Sequence, residues 1–227
     1  MNVVDYVSSS GYPGRIIIAG RDSAGTLFVL YALTGRSAAS KRREFHPAVN
    51  RLEVVDTEGG PFDPLRQYKA AAGQAGLAVI GNGDHVAPLF AKISEGQDPY
   101  AVIAQIDAEP DPPLWTPRIG AVAFLGESPS ARLVVFGAAT RPTDPPVGNR
   151  TVVTVNALEA GHAVGVKTYR GSVDDVVVDG VPVNITLNGE WSDALTDLQQ
   201  AIDPAVFIAG VGTAVTQDGL VSPWSRR

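Results

Sequence analysis

The sequence predicts an α+β fold built largely of antiparallel strands with a few helices, and three observations support this prediction. Short apolar runs alternate with turns rich in Gly, Asp and Ser, which join neighbouring strands directly instead of through crossover helices. The candidate strands outnumber the candidate helices. The 227 residues contain no repeat, low-complexity tract or long linker, so we expect a single domain over residues 1–227.

The first half of the chain predicts mainly strands. A turn at Gly20–Gly25 (GRDSAG) separates two apolar runs, which is typical of a hairpin. Asp63 can cap a helix and Pro64 suits the first helical position, so we expect a helix from Pro64 to about Gln74. The expected strands are Arg15–Ala19, Thr26–Leu33, Leu52–Val55 and Leu77–Ile80.

The second half predicts more strands and three helices. Asp98 and Pro99 repeat the cap pattern, and residues 126–131 (GESPSA) separate the strands of a second hairpin. The expected helices are Val86–Ser94, the segment from Asp98 to about Asp107, and Trp191–Ile202. The expected strands are Arg118–Leu125, Arg132–Ala138, Thr151–Ala157, Ala163–Tyr169 and Val176–Leu187.

The composition excludes several classes of protein. Without cysteine, the chain has no disulfide, thiolate metal site or cysteine nucleophile. The three histidines are far apart, which argues against a metal site. A formal net charge of −6 argues against a nucleic-acid or anionic membrane surface. Met1–Ser10 has no export pattern, and no window approaches the roughly 18 apolar residues of a spanning helix, so we expect a soluble, cytoplasmic protein.

Residues 34–43 (TGRSAASKRR) carry the densest positive charge in this acidic chain. Arg36, Lys41, Arg42 and Arg43 offer cationic donors, and Ser37 is one of three hydroxyl residues in the segment. Guanidinium groups and hydroxyls suit phosphate oxygens. The segment is either a local anion site or a solvated basic loop, because charge runs are usually exposed.

Two further segments carry groups that could take part in chemistry. In GNGDH, Gly81 and Gly83 allow close backbone approach to a ligand, while Asn82 and His85 supply polar groups; a plain turn is the alternative. In the proline-rich DAEPDPP at 107–113, Glu109 could be a general acid or base, or could lie in solvent at a helix end.

Five segments, taken in order, resemble the archaeal-type inosine monophosphate (IMP) cyclohydrolase family. Their order and spacing carry the resemblance, which is strongest over residues 12–138 and leaves residues 1–11 as a leader extension. The segments are YPGRIIIAGR (12–21), LYALTGRS (30–37), DPLRQY (63–68), NGDH (82–85) and TPRIGA (116–121).

The resemblance implies a four-layer αββα sandwich like that of the N-terminal nucleophile hydrolases, used without their nucleophile. It also implies dehydrative closure of 5-formamidoimidazole-4-carboxamide ribonucleotide to IMP in purine biosynthesis, with no cofactor. The expected partner is a purine ribonucleotide, with no nucleic acid or membrane, and a homo-oligomer is left open. The alternatives are an amidohydrolase on the same scaffold, which would need a processed amino terminus or another nucleophile such as Thr116, and a nucleotide-binding protein without turnover.

The resemblance assigns site residues by their position in the matching motifs. Tyr68 and Glu109 match the catalytic tyrosine and glutamate, although a tyrosine within a helix is more often packed through its ring. Lys41 or Arg42 falls where the family has an active-site arginine. The expected substrate-binding residues are Arg36, Ser37, Asn82, Gly83, His85 and Arg118. Of these, we expect Arg36 and the basic segment to bind the ribose phosphate, and Asn82 and Arg118 to bind the base amides or the formyl oxygen.

Overall fold

The computed structural model describes residues 1–59, 61–126, 131–141, 147–220 and 224–226. Within these ranges the chain forms two antiparallel sheets of seven strands each, a two-stranded ribbon and four α-helices. This confirms the α+β class with mostly antiparallel sheets. The helices are α1 (Val3–Ser8), α2 (Val86–Ser94), α3 (Pro99–Ile103) and α4 (Trp191–Ala201).

The strands follow one another with short connections. In chain order they are β1 (Arg15–Arg21), β2 (Leu27–Thr34), β3 (Arg43–Ala48), β4 (Arg51–Asp56), β5 (Tyr68–Gln74), β6 (Leu77–Gly81), β7 (Arg118–Leu125), β8 (Ala131–Arg141), β9 (Val147–Val155), β10 (His162–Lys167), β11 (Tyr169–Gly171), β12 (Val176–Val178), β13 (Val183–Thr186), β14 (Phe207–Thr216), β15 (Gly219–Leu220) and β16 (Ser225–Arg226).

The two sheets differ in topology. The first sheet has the order β13-β10-β1-β2-β14-β15, with β16 also paired to β14. The second sheet is a meander that runs β3 to β9 in chain order. Because neighbouring strands of the meander are antiparallel, β3, β5 and β7 all begin at the same end of the sheet. The ribbon pairs β11 with β12.

Three hydrophobic clusters hold these elements together. One combines inward side chains of both sheets, such as Ile17 and Leu133. The second covers the other face of the first sheet with α1 and α4, and includes Ile16 and Leu198. The third covers the other face of the second sheet with α2 and α3, and includes Phe136. Since successive strand residues point to opposite faces, β1 is buried on both sides, which explains its uninterrupted apolar run.

Most of the expected elements are confirmed. The hairpin of β1 and β2 forms in the register Arg15 to Leu33, and β7 pairs with β8 as the second hairpin. Residues 127–130 of that second turn lie outside the described residues. The helices α2 and α4 match their expected positions, and the Asp98 side chain caps α3, which ends at Ile103 instead of near Asp107.

The helix expected from Pro64 to Gln74 is wrong. Asp63 does cap a turn, since its carboxylate accepts a hydrogen bond from the Leu65 amide at 3.0 Å, but the turn ends before Tyr68. The rest of the segment is β5, which pairs with both β4 and β6. Its central alanines are buried, so strand pairing and burial outweigh the helix propensity of alanine.

Other differences follow from local geometry. The strand expected over Val176–Leu187 is two strands, β12 and β13, separated by a turn in which Gly180 has φ +81°. β9 starts at Val147 and ends at Val155, while the strand expected to reach Tyr169 divides into β10 and β11. The helix α1, inside the expected leader, buries Val3, Tyr6 and Val7.

Besides β5, four strands in the described part of the chain were not expected from the sequence: β3, β14 and the two-residue strands β15 and β16. β3 is an edge strand in which only alternate residues are buried, so it lacks a continuous apolar run. β14 contains glycines that packing requires, because a Cβ on Gly212 would lie 2.5 Å from a Leu30 methyl carbon. Among the described residues, no helix has the length and apolar character needed to cross a membrane.

The fold predicts that Asp22 is a major determinant of stability. Its carboxylate is buried and accepts hydrogen bonds from the amides of Thr26, at 2.8 Å, and Trp191, at 3.2 Å, so it joins the β1–β2 turn to the start of α4. We expect Asp22→Ala to lower the free energy of unfolding by about 2 kcal/mol, because two donors lose their acceptor. Chemical denaturation measures this loss.

A matched control lies on the same helix. Asp197 is exposed on α4, and Asp197→Ala should change the free energy of unfolding by less than about 0.5 kcal/mol. Equal losses in both variants would show that Asp22 does not join the turn to the helix.

Candidate active site

A buried ion pair between Arg15 and Glu109 lies at the centre of the candidate site. Arg15 is the first residue of β1, and Glu109 follows α3 in the connection to β7. The Arg15 Nη2 atom lies 2.9 Å from both carboxylate oxygens of Glu109. The two side chains are only 10% and 3% exposed. Such a pair is stable only if its geometry and its other hydrogen bonds are good.

The loop that carries Glu109 is held by hydrogen bonds on both sides. The Glu109 amide donates to the Thr116 carbonyl at 2.8 Å. The Asp111 carboxylate contacts both the amide and the hydroxyl of Thr116, and that hydroxyl also contacts the Tyr169 hydroxyl. Thr116 is fully buried, so its hydroxyl is part of this clamp.

Asn82 fixes the carboxylate from the other side. Its side-chain amide nitrogen donates to the Pro117 carbonyl at 2.9 Å and lies 3.3 Å from Glu109 Oε1, while its oxygen accepts from the Ile119 amide at 2.7 Å. Asn82 is completely buried. The side chain therefore joins the end of β6 to the start of β7 and orients Glu109.

The environment of Glu109 shifts its proton affinity. Burial raises the pKa of the Glu109 carboxyl above its ordinary value, and Arg15 opposes this shift by charge and by hydrogen bonding. Burial disfavours the Arg15 cation, but Glu109 and the nearby tyrosines more than offset this, so the pKa of Arg15 is raised. A carboxyl with raised proton affinity next to a permanent cation is suited to proton transfer.

Tyr68 lies in the same cluster and is hydrogen-bonded to a second tyrosine. It is the first residue of β5, and its hydroxyl lies 2.8 Å from that of Tyr31, which comes from β2 in the other sheet. Arg15 interacts electrostatically with Tyr68 as well as with Glu109. The structure thus brings Tyr68 and Glu109, the two catalytic residues implied by the resemblance, to one arginine.

The second arginine in the cluster is Arg43, and neither Lys41 nor Arg42 occupies this place. Arg43 is 6% exposed, donates to the carbonyls of Ser40 and Thr34 at 2.9 Å, and interacts with the charges of Arg15, Tyr31 and Tyr68. Burial and Arg15 lower the pKa of Arg43. It begins β3, whose alternation turns Arg43 inward and Glu44 outward.

Lys41 is exposed to solvent, and Arg42 pairs with acidic residues outside the cluster. Arg42 pairs with Glu58 at 2.8 Å and with Asp56 at 3.5 Å, on the side of β4. Both precede β3 in a short 3₁₀ turn, Ser40–Arg42, so neither side chain is directed by the strand toward Tyr68.

The basic segment forms the exposed rim of this cluster. The Arg36 guanidinium lies 5.9 Å from the centre of the Tyr12 ring and donates to the Val173 carbonyl at 3.0 Å. Tyr12 in turn stacks on Tyr169 with ring centres 5.8 Å apart. Arg36 and Ser37 are exposed, so their donors are accessible next to the buried arginines.

The GNGDH turn (residues 81–85) also lies against Glu109. A Cβ on Gly83 would lie 3.3 Å from His85 Nδ1, 3.7 Å from Glu109 Oε1 and 3.8 Å from Arg118 Nε. Arg118 donates to Asp84 at 2.7 Å and to the carbonyls of residues 107 and 108, which ties the Glu109 loop to the turn. His85 and Arg118 also line a cavity of about 300 Å³ between α2 and α3.

Several residues of the cluster were not identified from the sequence. They are Arg15, Tyr31, Asp111 and Tyr169, while Arg43 was identified only as one of the basic residues of segment 34–43. Arg15 and Tyr31 carry a detectable signal, because each is a polar side chain in an apolar run that is buried throughout β2 and as far as Gly20 in β1. Asp111, Thr116 and Tyr169 meet only through tertiary contacts.

His85 supplies a pH-dependent prediction. Burial and the charge of Arg118 lower the pKa of His85 from 6.5 to about 3, although a contact with the Ile119 carbonyl acts in the opposite direction. The imidazole is neutral in the folded protein, whereas the unfolded chain binds a proton below pH 6.5. Stability is therefore lost as pH falls from about 6.5 toward 3, by about 2 kcal/mol between about pH 7 and pH 5.

His85→Gln should remove this part of the acid sensitivity, as measured by denaturation at the two pH values. The matched control is His46→Gln, since His46 is exposed, and this variant should lose as much stability on acidification as the wild type. An unchanged pH dependence in His85→Gln would contradict a buried neutral imidazole.

Comparison with known proteins identifies a family and two relatives of this chain. The family model for "IMP cyclohydrolase-like protein" matches residues 12–211. An IMP cyclohydrolase from Methanothrix thermoacetophila is 30% identical over 132 residues, which are 56% of this chain and 62% of that protein. An IMP cyclohydrolase from Halobacterium salinarum is 31% identical over 117 residues, which are 49% of this chain and 56% of that protein.

The chain thus spans somewhat less than two thirds of the length of these two relatives in the matched segments. The family match is broader, because it runs from Tyr12 to Val211 in β14. It includes each residue of the cluster described above. The chain belongs to the IMP cyclohydrolase-like protein family.

Proposed function

We propose that this protein is an IMP cyclohydrolase, which closes 5-formamidoimidazole-4-carboxamide ribonucleotide to IMP with loss of water. The observation that carries the proposal is the buried Glu109 carboxylate, held by Arg15 at 2.9 Å in one cluster with Tyr68. The two relatives described above have the same activity in their names.

The proposed reaction needs positioning and proton transfer, with no change in oxidation state. The carboxamide nitrogen attacks the formyl carbon, so a C–N bond forms while the C=O bond becomes a C–OH bond. The hydroxyl then leaves as water and a C=N bond forms to the formamide nitrogen. One proton of the water comes from the carboxamide nitrogen and one from the formamide nitrogen. An amide nitrogen is a poor nucleophile, so attack geometry and proton removal limit the rate.

In this proposal Glu109 accepts the proton of the carboxamide nitrogen. Its raised pKa makes it a better base than an exposed carboxylate, and Arg15 keeps the ionised form available. Asn82, Arg118 and the Asp111–Thr116 clamp hold the carboxylate in place. Gly83 leaves space next to Glu109 Oε1 that a side chain would fill, and His85 lies beside that space.

Tyr68 is the proposed proton donor to the formyl oxygen. Glu109, which holds the carboxamide proton, then protonates the departing hydroxyl, and the formamide proton returns to the Tyr68 phenolate, so both residues are restored after one turnover. The Tyr68 hydroxyl lies near two guanidinium groups, those of Arg15 and Arg43, which also stabilise negative charge that develops on the formyl oxygen. Fixed cations in a water-poor site act strongly on such charge. Arg43 takes here the role that the resemblance implied for Lys41 or Arg42.

The ribose phosphate is proposed to bind at the exposed rim. Arg36, Ser37 and Lys41 supply donors on one loop of a protein whose net charge is −6. The rim reaches the catalytic cluster through Tyr12, which stacks on Tyr169. A phosphate at Arg36 would therefore leave the base end of the nucleotide directed toward Arg15 and Tyr68.

We also propose that the fold is the four-layer αββα sandwich of the N-terminal nucleophile hydrolases. The support is the composition of the three hydrophobic clusters, which place helices α1 and α4 with the first sheet and helices α2 and α3 with the second. The full burial of Thr116 disfavours the form of the amidohydrolase alternative in which this hydroxyl would attack a substrate.

The activity is tested by incubating purified protein with the formamido ribonucleotide, without added metal, and measuring IMP by its absorbance. The wild type should form IMP, and Glu109→Gln should lower the rate at least about 10²-fold because the base is lost. Binding of IMP, measured by calorimetry, should be largely retained in that variant.

The matched control is Glu159→Gln, which changes an exposed carboxylate outside the site and should keep full activity. Binding of IMP by a wild type that forms no product would favour a nucleotide-binding protein without turnover. Full activity of Glu109→Gln would remove Glu109 from the mechanism.

The phosphate site is tested separately with Arg36→Ala. We expect about tenfold weaker binding of IMP because a charged donor to the phosphate is lost, and little change for inosine, which has no phosphate. Arg51→Ala is the control. Arg51 is exposed and begins β4, whereas Arg43 pairs with the other end of that strand. Equal losses for IMP and inosine would place the phosphate elsewhere.

A further inference from the structure

We infer that Tyr31 is a positioning residue for Tyr68: its hydroxyl donates a hydrogen bond to the Tyr68 oxygen and so directs the proton of Tyr68 toward the substrate. The inference rests on the proposed function, because it concerns proton donation by Tyr68. It adds a residue from the first sheet to a mechanism whose proton donor comes from the second.

The position of Tyr31 is unusual for a polar atom. All eight residues of β2 are buried, and Tyr31 is 0% exposed near the middle of the strand. A phenylalanine would fill the same apolar space, and a buried hydroxyl is costly unless it is hydrogen-bonded. Its bond crosses from one sheet to the other, to Tyr68 at 2.8 Å. The hydroxyl thus has its partner in the candidate proton donor.

Charged groups from three elements face this tyrosine pair. Arg15 comes from β1, Arg43 from β3, and Glu109 from the loop before β7, where it is paired with Arg15. Tyr12 and Tyr169 are the neighbouring phenols, as the charge interactions of Arg43 and Arg15 indicate. The two guanidinium groups favour a phenolate, and the Glu109 carboxylate moderates the effect of Arg15.

The direction of the hydrogen bond follows from burial. Tyr31 is completely enclosed, and burial together with Tyr68 raises the pKa of the Tyr31 phenol well above its ordinary value, although Arg15 and Arg43 oppose this. Tyr68 is 6% exposed and lies at the start of its strand. Tyr31 therefore keeps its proton and donates it, and Tyr68 is the phenol that exchanges a proton with a bound substrate.

This direction has a chemical consequence. When the Tyr68 proton moves to the formyl oxygen, the O–H bond of Tyr68 breaks and a phenolate forms. The Tyr31 hydroxyl, still protonated, then donates to that phenolate, and hydrogen bonds to charged groups are stronger than those to neutral ones. No bond of Tyr31 breaks, so it acts through Tyr68 and does not itself touch the substrate.

The test compares Tyr31→Phe with the wild type over a range of pH. The proton donor must be protonated to act, so the rate should fall at alkaline pH. The Tyr31 hydroxyl stabilises the phenolate that forms, and its loss should move this alkaline limb up by about one pH unit. The plateau rate should fall about tenfold, because Tyr68 becomes a weaker acid. A lower plateau with an unmoved limb would overturn the inference.

A double-mutant cycle separates positioning from simple support of the fold. Tyr31→Phe should lower the plateau rate about tenfold in the wild type but not in a Tyr68→Phe background, because the two hydroxyls act as a unit. The same penalty in both backgrounds would overturn the inference. Tyr6→Phe is the control: Tyr6 is a buried tyrosine in the cluster of α1 and α4, and its loss of a hydroxyl should leave both rate and limb unchanged.

A titration without substrate keeps the result independent of turnover. In the wild type, NMR of tyrosines labelled at the hydroxyl-bearing carbon should show the Tyr31 phenol ionising well above its ordinary range, with Tyr31→Phe used to assign the signal. Ionisation of Tyr31 within the ordinary range of a phenol would overturn the inference even if IMP is formed. A wild type that forms no IMP would instead defeat the proposed function, while this titration would still decide the direction of the hydrogen bond.

Discussion

A guanidinium and a carboxylate are both removed from water where Arg15 meets Glu109. The cost of burying two charges is offset only when their hydrogen bonds are nearly complete. Here Asn82 adds a donor to the carboxylate, and Asp111 and Thr116 fix the loop that carries it. The requirement to keep this pair satisfied explains why so much buried polar structure surrounds one glutamate.

The same pair organises the charge of the site. The protein has a net charge of −6, yet two buried arginines, Arg15 and Arg43, face the tyrosine pair, and Arg36 lies at the exposed rim. In the proposed function, this local cationic centre is where the anionic nucleotide binds. Burial keeps these cations in a medium of low polarity, where they act on a developing negative charge more strongly than they would in water.

Strand topology explains how residues far apart in the chain come together. Arg43, Tyr68 and Arg118 are the first residues of β3, β5 and β7. In an antiparallel meander, alternate strands begin at the same end of the sheet, so these side chains share one end. Arg15 begins β1 in the other sheet, and the Tyr31–Tyr68 contact joins the two sheets at that end.

The sequence by itself determined the α+β class, both hairpins and three of the helices, because turn chemistry and apolar runs are local properties. The motifs of the resemblance also pointed to Tyr68, Glu109, Asn82 and Arg118, which the structure brings close together. The sequence missed the strand at Tyr68 because Asp63 and Pro64 resemble the start of a helix, whereas β5 becomes a strand by pairing with β4 and β6. The resemblance pointed to Lys41 or Arg42 by position in the motif, whereas the alternation of β3 turns the next residue, Arg43, inward.

Only the tertiary structure decided the partners: Arg15 for Glu109, Tyr31 for Tyr68, and Tyr169 for Thr116. These contacts join residues 94, 37 and 53 positions apart. No local pattern encodes such distances, because they depend on which strand ends meet when two sheets close on a shared core. The sequence shows which residue types could do the chemistry, whereas the contacts between them are a property of the folded sheets.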